Sequence, residues 1–122
     1  MLEFKTPAGK SISEIEIELA DTPQKREMGL MYRTSMKENQ GMLFIFDTEE
    51  RQSFWMKNTE IPLDIIFVNE EKTVVHIAEN CEPYSLKQIP SFEYAMYVVE
   101  VNAGYMRKNN VQVGSTIKYS IE

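Results

Sequence analysis

Apolar residues in this chain fall into short runs of two kinds, and that pattern restricts the fold more than any other property. In "SISEIEIELAD", residues 11–21, Ile12, Ile15, Ile17 and Leu19 are interleaved with serine and glutamate, the period of two that marks a strand with one wet face. "MLFIF", residues 42–46, is unbroken, as expected for a strand buried on both faces. Further strand-like runs occupy 53–57, 63–68, "TVVHIAEN", "YAMYVVEVNAG" and the closing "VGSTIKYSI". Turns are expected at "DTEER", at Asn58–Pro62 and at "NEEK". About seven strands separated by short turns predict a mainly β fold, a compact barrel-like or curled mixed sheet.

Two short helices interrupt the strands. Thr22 is suited to cap the first and Pro23 to its first position, with Met28, Leu30 and Met31 turned to a core and Gly29 weakening or ending it. "AGYMRKNN" predicts the second, stopped by Asn109–Asn110. Residues 81–93, "CEPYSLKQIPSFE", hold two prolines and no period, so a long irregular connection is expected there.

The 122 residues suffice for a single domain, 1–122, with one hydrophobic core. Thirteen Lys and Arg against nineteen Asp and Glu give a net charge of −6 without a basic cluster, which argues against a nucleic-acid partner. No apolar run approaches the ~20 residues of a membrane-spanning helix. "MLEFKTPAGK" has no basic n-region or apolar h-region, so no signal peptide is visible. Cys81, the sole cysteine, has no partner for an internal disulfide.

"SFWMKNTEIPLDIIFV", residues 53–68, places Lys57, Asn58, Thr59 and Asp64 among large apolar side chains. A strand at 53–57 sets Ser53, Trp55 and Lys57 on one face and Phe54 and Met56 on the other. If a hairpin centres near Glu60–Ile61, Lys57 and Asp64 lie nearly opposite and lock its register. The polar residues then act first as staples of the turn. They also have a second reading: an open Trp55 rimmed by Lys57 and Asn58 forms a stacking platform for a sugar or small ring.

Other chemistry-bearing residues are few. His76 is the single histidine, which excludes a histidine metal cluster, and a Ser53–His76–Asp64 triad has no nucleophile-elbow context. Cys81 reads as a buried, inert thiol. Eight methionines offer soft ligands for Cu(I), but serve equally as adaptable core filler, and neither a metal nor a cofactor is assigned. Glu100 lies on the strand face opposite Val99 and Val101, where a carboxylate needs water or an arginine, Arg26 or Arg33.

Taken together, "EIELADTPQKREMGLMYR", "GMLFIF", "FWMKNTEIPLDIIFVN", "VVEVNAG" and "VGSTI" resemble domain-of-unknown-function family 192 over residues 14–118. The resemblance implies a small, mainly β fold with short helices, found in bacteria and archaea and often behind an export or lipoprotein signal. No activity attaches to the family, so no catalytic residue carries over. Members often hold a cysteine pair around Pro83–Pro90; with Cys81 alone, that disulfide is absent here.

The leading functional expectation is an envelope-associated binding or accessory domain for a sugar or small anionic ligand, periplasmic or lipoprotein-anchored if a leader precedes it, with a site rimmed by Trp55, Lys57, Asn58, Arg26 and Arg33. A hydrolase-type enzyme using Asp64 or Glu100 as general base is the rival. A third reading is an interaction domain that pairs through an exposed strand edge. The oligomeric state is left open.

Overall fold

The computed structural model describes residues 1–121. Seven strands and two helices follow in the order β1 (Leu2–Lys5), β2 (Ser11–Ala20), α1 (Pro23–Met28), β3 (Gln40–Phe54), β4 (Leu63–Val68), β5 (Val74–Cys81), β6 (Ile89–Asn102), α2 (Tyr105–Lys108) and β7 (Thr116–Tyr119). All seven strands join one mixed sheet of order β5-β4-β6-β3-β2-β1-β7. Among the described residues, only β2 and β3 pair in parallel. The sheet curls into a half-barrel, and its outer strands approach each other: Thr73 bridges Thr116, and Val74 N–H donates to the Ser115 carbonyl at 2.8 Å.

The strand number matches expectation, but the strands are not all the expected ones. β1 was not anticipated, although Leu2 and Phe4 alternate with Glu3 and Lys5 and both are fully buried. The expected strands at 42–46 and 53–57 are instead one long strand, and "DTEER" is not a turn but part of it, with register shifts between Ile45 and Glu50 and between Arg51 and Ser53. Its exposed polar residues look like a turn in sequence, yet the chain bulges through 46–49 and rejoins β6 at Glu50 and Arg51, opposite Ala95 and Tyr94. β6 likewise begins at Ile89, inside the expected irregular connection. There Pro90 lies opposite Ser53, and the Ser91 hydroxyl accepts from Gln52 N–H at 2.9 Å, a side chain standing in for a ladder acceptor.

No hairpin joins β3 to β4, because β6 lies between them. Residues 55–62 are therefore a crossover, and Lys57 and Asp64 do not face each other. The polar residues are staples nonetheless. Thr59 N–H closes a turn onto the Met56 carbonyl at 3.1 Å, and Asn58 occupies its left-handed position at φ 54°, a conformation asparagine tolerates. Met56, fully buried, anchors the crossover in the core.

Asp64 holds a different junction. Its Oδ1 accepts from Asn80 N–H at 2.9 Å, and its Oδ2 from the N–H groups of Gly104 and Met106, both at 3.1 Å. Asn80 sits where β5 bulges against β4, so its amide has lost a ladder partner. Gly104 and Met106 belong to the start of α2, whose first amides have none. One carboxylate thus ties β4, the β5 bulge and α2 together.

β4, the start of β3 (Gly41–Phe44) and the end of β6 (Tyr97–Val101) are buried on both faces. Leu43, Ile66, Val99 and Val101 point into the barrel with Leu2, Phe4, Ile15 and Ile117. Met42, Phe44, Ile65, Phe67 and Val98 face the other way, under Ala20, Leu30, Met56 and Ile61. The unbroken "MLFIF" and "LDIIFV" runs have this physical cause. Gly41 is required by the tight β3–β6 contact, since a Cβ there would lie 2.7 Å from the Glu100 carbonyl oxygen.

Candidate functional site

A cleft of about 250 Å³ opens on the outer face of the sheet. One wall is α1 and the turn after it, from Arg26 to Met31; the other is the far end of β3, from Gln52 to Phe54, and Trp55 just beyond it. Thr22 starts α1 by accepting from Lys25 N–H at 3.2 Å. Gly29 ends it at φ 49°, and has no Cβ to press on Phe44, whose ring would lie 3.3 Å from one. The opposite wall exists because β3 folds back over its own sheet. Phe54 meets Phe44 edge-on with centroids 5.0 Å apart, and stands 5.9 Å from Phe67 of β4.

Glu100 is the cleft's buried acid, 4 % exposed. Among the described residues its carboxyl forms no ion pair. No buried side-chain oxygen or nitrogen among them is sealed off without a hydrogen-bond partner, so this carboxyl, bonded to none, is turned to the open space. Burial raises its pKa to about 8, since a carboxylate loses its hydration there with no cation to replace it. Arg26 lines the same cleft but is occupied: its Nη1 donates to the Ile45 carbonyl at 2.8 Å and its guanidinium lies over the Phe46 ring at 5.2 Å.

The other expected site residues are distributed as follows. Trp55, 42 % exposed, stands between this cleft and a neighbouring recess that also holds Lys57 and Asn58. Lys57 lies over the Trp55 ring at 5.1 Å, and the Asn58 amide donates to the Tyr32 hydroxyl at 3.0 Å. Arg33 lines neither recess and is paired with Glu18 at the surface. Asp64 is fully buried away from the cleft. Neither Arg26 nor Arg33 therefore supplies the partner that Glu100 was expected to need. His76 stacks on Phe67 and meets Phe92 edge-on, and no cluster of three or more His, Cys, Asp or Glu suited to a metal occurs among the described residues.

Comparison with known proteins agrees with this architecture. The profile of the family described as DUF192, an uncharacterised ACR, matches residues 4–119. The chain belongs to domain-of-unknown-function family 192. Two crystal structures share its fold. One, from Sinorhizobium meliloti 1021 and provisionally called a transcription regulator, is 38% identical with a TM-score of 0.92, over 96% of this chain and 90% of that one. The other, a protein of unknown function from Novosphingobium aromaticivorans DSM 12444, is 32% identical with a TM-score of 0.90, over 97% and 83%. No curated protein matches.

Residues of the family-like segments serve both scaffold and cleft: Gly41, Met56 and Asp64 build the scaffold, whereas Arg26, Gly29, Leu30, Met31, Phe54, Trp55, Thr59 and Glu100 line the cleft. The sequence did not identify Phe44 and Phe46 as cleft walls. Nothing local distinguishes them from core strand residues; only the fold-back of β3 makes a wall of them. No helix among the described residues is long and apolar enough to cross a membrane.

Proposed function

We propose that this protein is a binding module for a small, ring-bearing polar ligand taken up in the cleft beside Trp55. The observation that carries the reading is the unpartnered Glu100 carboxyl in a cleft walled by Phe44, Phe46, Phe54 and Trp55. Aromatic walls with few, well-placed polar groups are the usual makeup of a small-molecule site. Gln52, Ser53 and Thr59 add amide and hydroxyl groups to the lining. Between the two ligand classes expected from sequence, a buried carboxyl disfavours an anion and favours a hydroxylated ring such as a sugar. Envelope association, implied by the family resemblance, belongs to the same proposal.

A net charge of −6 argues against contact with a DNA backbone. The test is a thermal-shift screen of mono- and disaccharides and small anions, repeated with Trp55→Ala. Sugars that stabilise the wild type and lose at least about tenfold in affinity in the variant support the reading. Hits that bind Trp55→Ala equally well place the ligand elsewhere.

A hydrolase-type enzyme is the second reading, favoured by the same Glu100: a carboxyl with its pKa near 8 is mostly protonated at neutral pH and suited to general acid work. Asp64 has no part in it, because both its oxygens are spent on backbone amides. Turnover of glycoside or ester substrates that disappears in Glu100→Gln would replace the binding reading with this one.

A further inference from the structure

We propose that the cleft is built for a ligand carrying an amine, whose ammonium group supplies the counter-ion that Glu100 lacks. This rests on the binding reading above and names the chemical class of its ligand. Glu100 is almost entirely buried, bonded to no other group among the described residues, and lines the cleft. An isolated carboxylate in that position is costly, and an ammonium brought by the ligand removes the cost when it arrives.

Three further observations favour a cation over a neutral or anionic group. The cleft lining contains one cation, Arg26, against two acids, Glu27 and Glu100. Arg26 is committed to the Ile45 carbonyl and to Phe46, so it leaves the carboxyl free. The aromatic walls also attract positive charge through their faces. Phe46 and Trp55 already carry Arg26 and Lys57, while Phe44 and Phe54 carry none.

The ionisable surroundings of Glu100 are few. α1 contributes Arg26 and Glu27. β4 contributes Asp64, bound to three amides, and β5 contributes Cys81, whose thiol is pushed up to about 11 by burial and by the charges of Glu100 and Asp64. Between pH 6 and 9 Cys81 is therefore neutral. With its pKa near 8, Glu100 is mostly protonated at pH 7 in the free protein. Pairing with an ammonium favours its ionised form, so binding releases a proton to the buffer.

The experiment is calorimetric titration of the full chain with two matched pairs, glucosamine against glucose and benzylamine against benzyl alcohol, at pH 7 in buffers of differing ionisation enthalpy. The expected result is at least about tenfold tighter binding of the amine in one pair or both, with release of a fraction of a proton up to about one per ligand. Glu100→Gln, checked for folding by thermal melting, is expected to erase both the preference and the proton release. Equal binding of amine and alcohol, or amine binding without proton release, overturns the amine assignment and leaves the binding reading standing. Binding of none of the four overturns it too, and the wider sugar screen then decides the binding reading separately.

Discussion

Phe44 and Phe54 belong to the same strand, yet their rings meet edge to face with centroids 5.0 Å apart. Ten residues of straight strand would separate them by about 33 Å. The register shifts around residues 45–50 and 51–53 mark where the ladder departs from regular geometry, and the β3–β6 ribbon folds back over the sheet. The cleft is the space left beneath that fold, and the contact of Phe54 with Phe44, Phe46 and Phe67 holds it at a fixed width.

Phe54→Ala therefore has two expected consequences. It removes the edge contacts, costing about 2–4 kcal/mol in urea denaturation. It also frees the ribbon, so backbone amides of residues 50–54 exchange hydrogen faster in the variant than in the wild type. Unchanged exchange there would mean that backbone pairing alone keeps the ribbon closed.

Asp64→Ala leaves the amides of Asn80, Gly104 and the buried Met106 without their acceptor. The expected loss is about 3–5 kcal/mol, in the range for truncating one side of a buried charged network. Asp64→Asn keeps one carbonyl oxygen and is expected to lose less. Equilibrium unfolding of both variants is the check, and a loss below about 1 kcal/mol for the alanine variant would remove Asp64 from its junction role.

Glu100 gives the pH dependence of stability its sign. Below about 4.5, its ordinary value, the carboxyl is protonated in folded and unfolded chains alike and contributes nothing. As pH rises from there to about 8, the unfolded chain ionises while the folded one stays protonated, and the folded state loses up to about 1.4 kcal/mol per unit. Glu100→Gln, which cannot ionise, is thus expected to unfold at a higher temperature than wild type at pH 8–9. The two proteins are expected to converge below pH 5. A difference independent of pH would show that folding leaves the carboxyl's pKa unshifted, and a wild type that gains on the variant as pH rises would reveal an ionic partner.

Cys81 is buried, and its pKa of about 11 leaves little thiolate at pH 8. Ellman's reagent is expected to label it slowly in the folded protein and rapidly in 6 M guanidinium, which also tests the inert reading made from sequence. Fast labelling without denaturant would show that the end of β5 opens locally.

Sequence pattern was enough for the mainly β class, both helices, the cap at Thr22 and the doubly buried start of β3. Each of these is written in nearest neighbours, as a period of two, an unbroken apolar run or a capping residue, and the sequence also placed Glu100 opposite Val99 and Val101. The tertiary structure alone decided that β6 separates β3 from β4, that Asp64 serves Asn80 and α2 instead of facing Lys57, and that Glu100 has no arginine beside it. Those outcomes depend on which strands pair across long stretches of chain and where a ribbon bends. Strand pairing is satisfied by any backbone with free N–H and C=O groups, so side-chain pattern shows that a segment is a strand without showing whose neighbour it becomes.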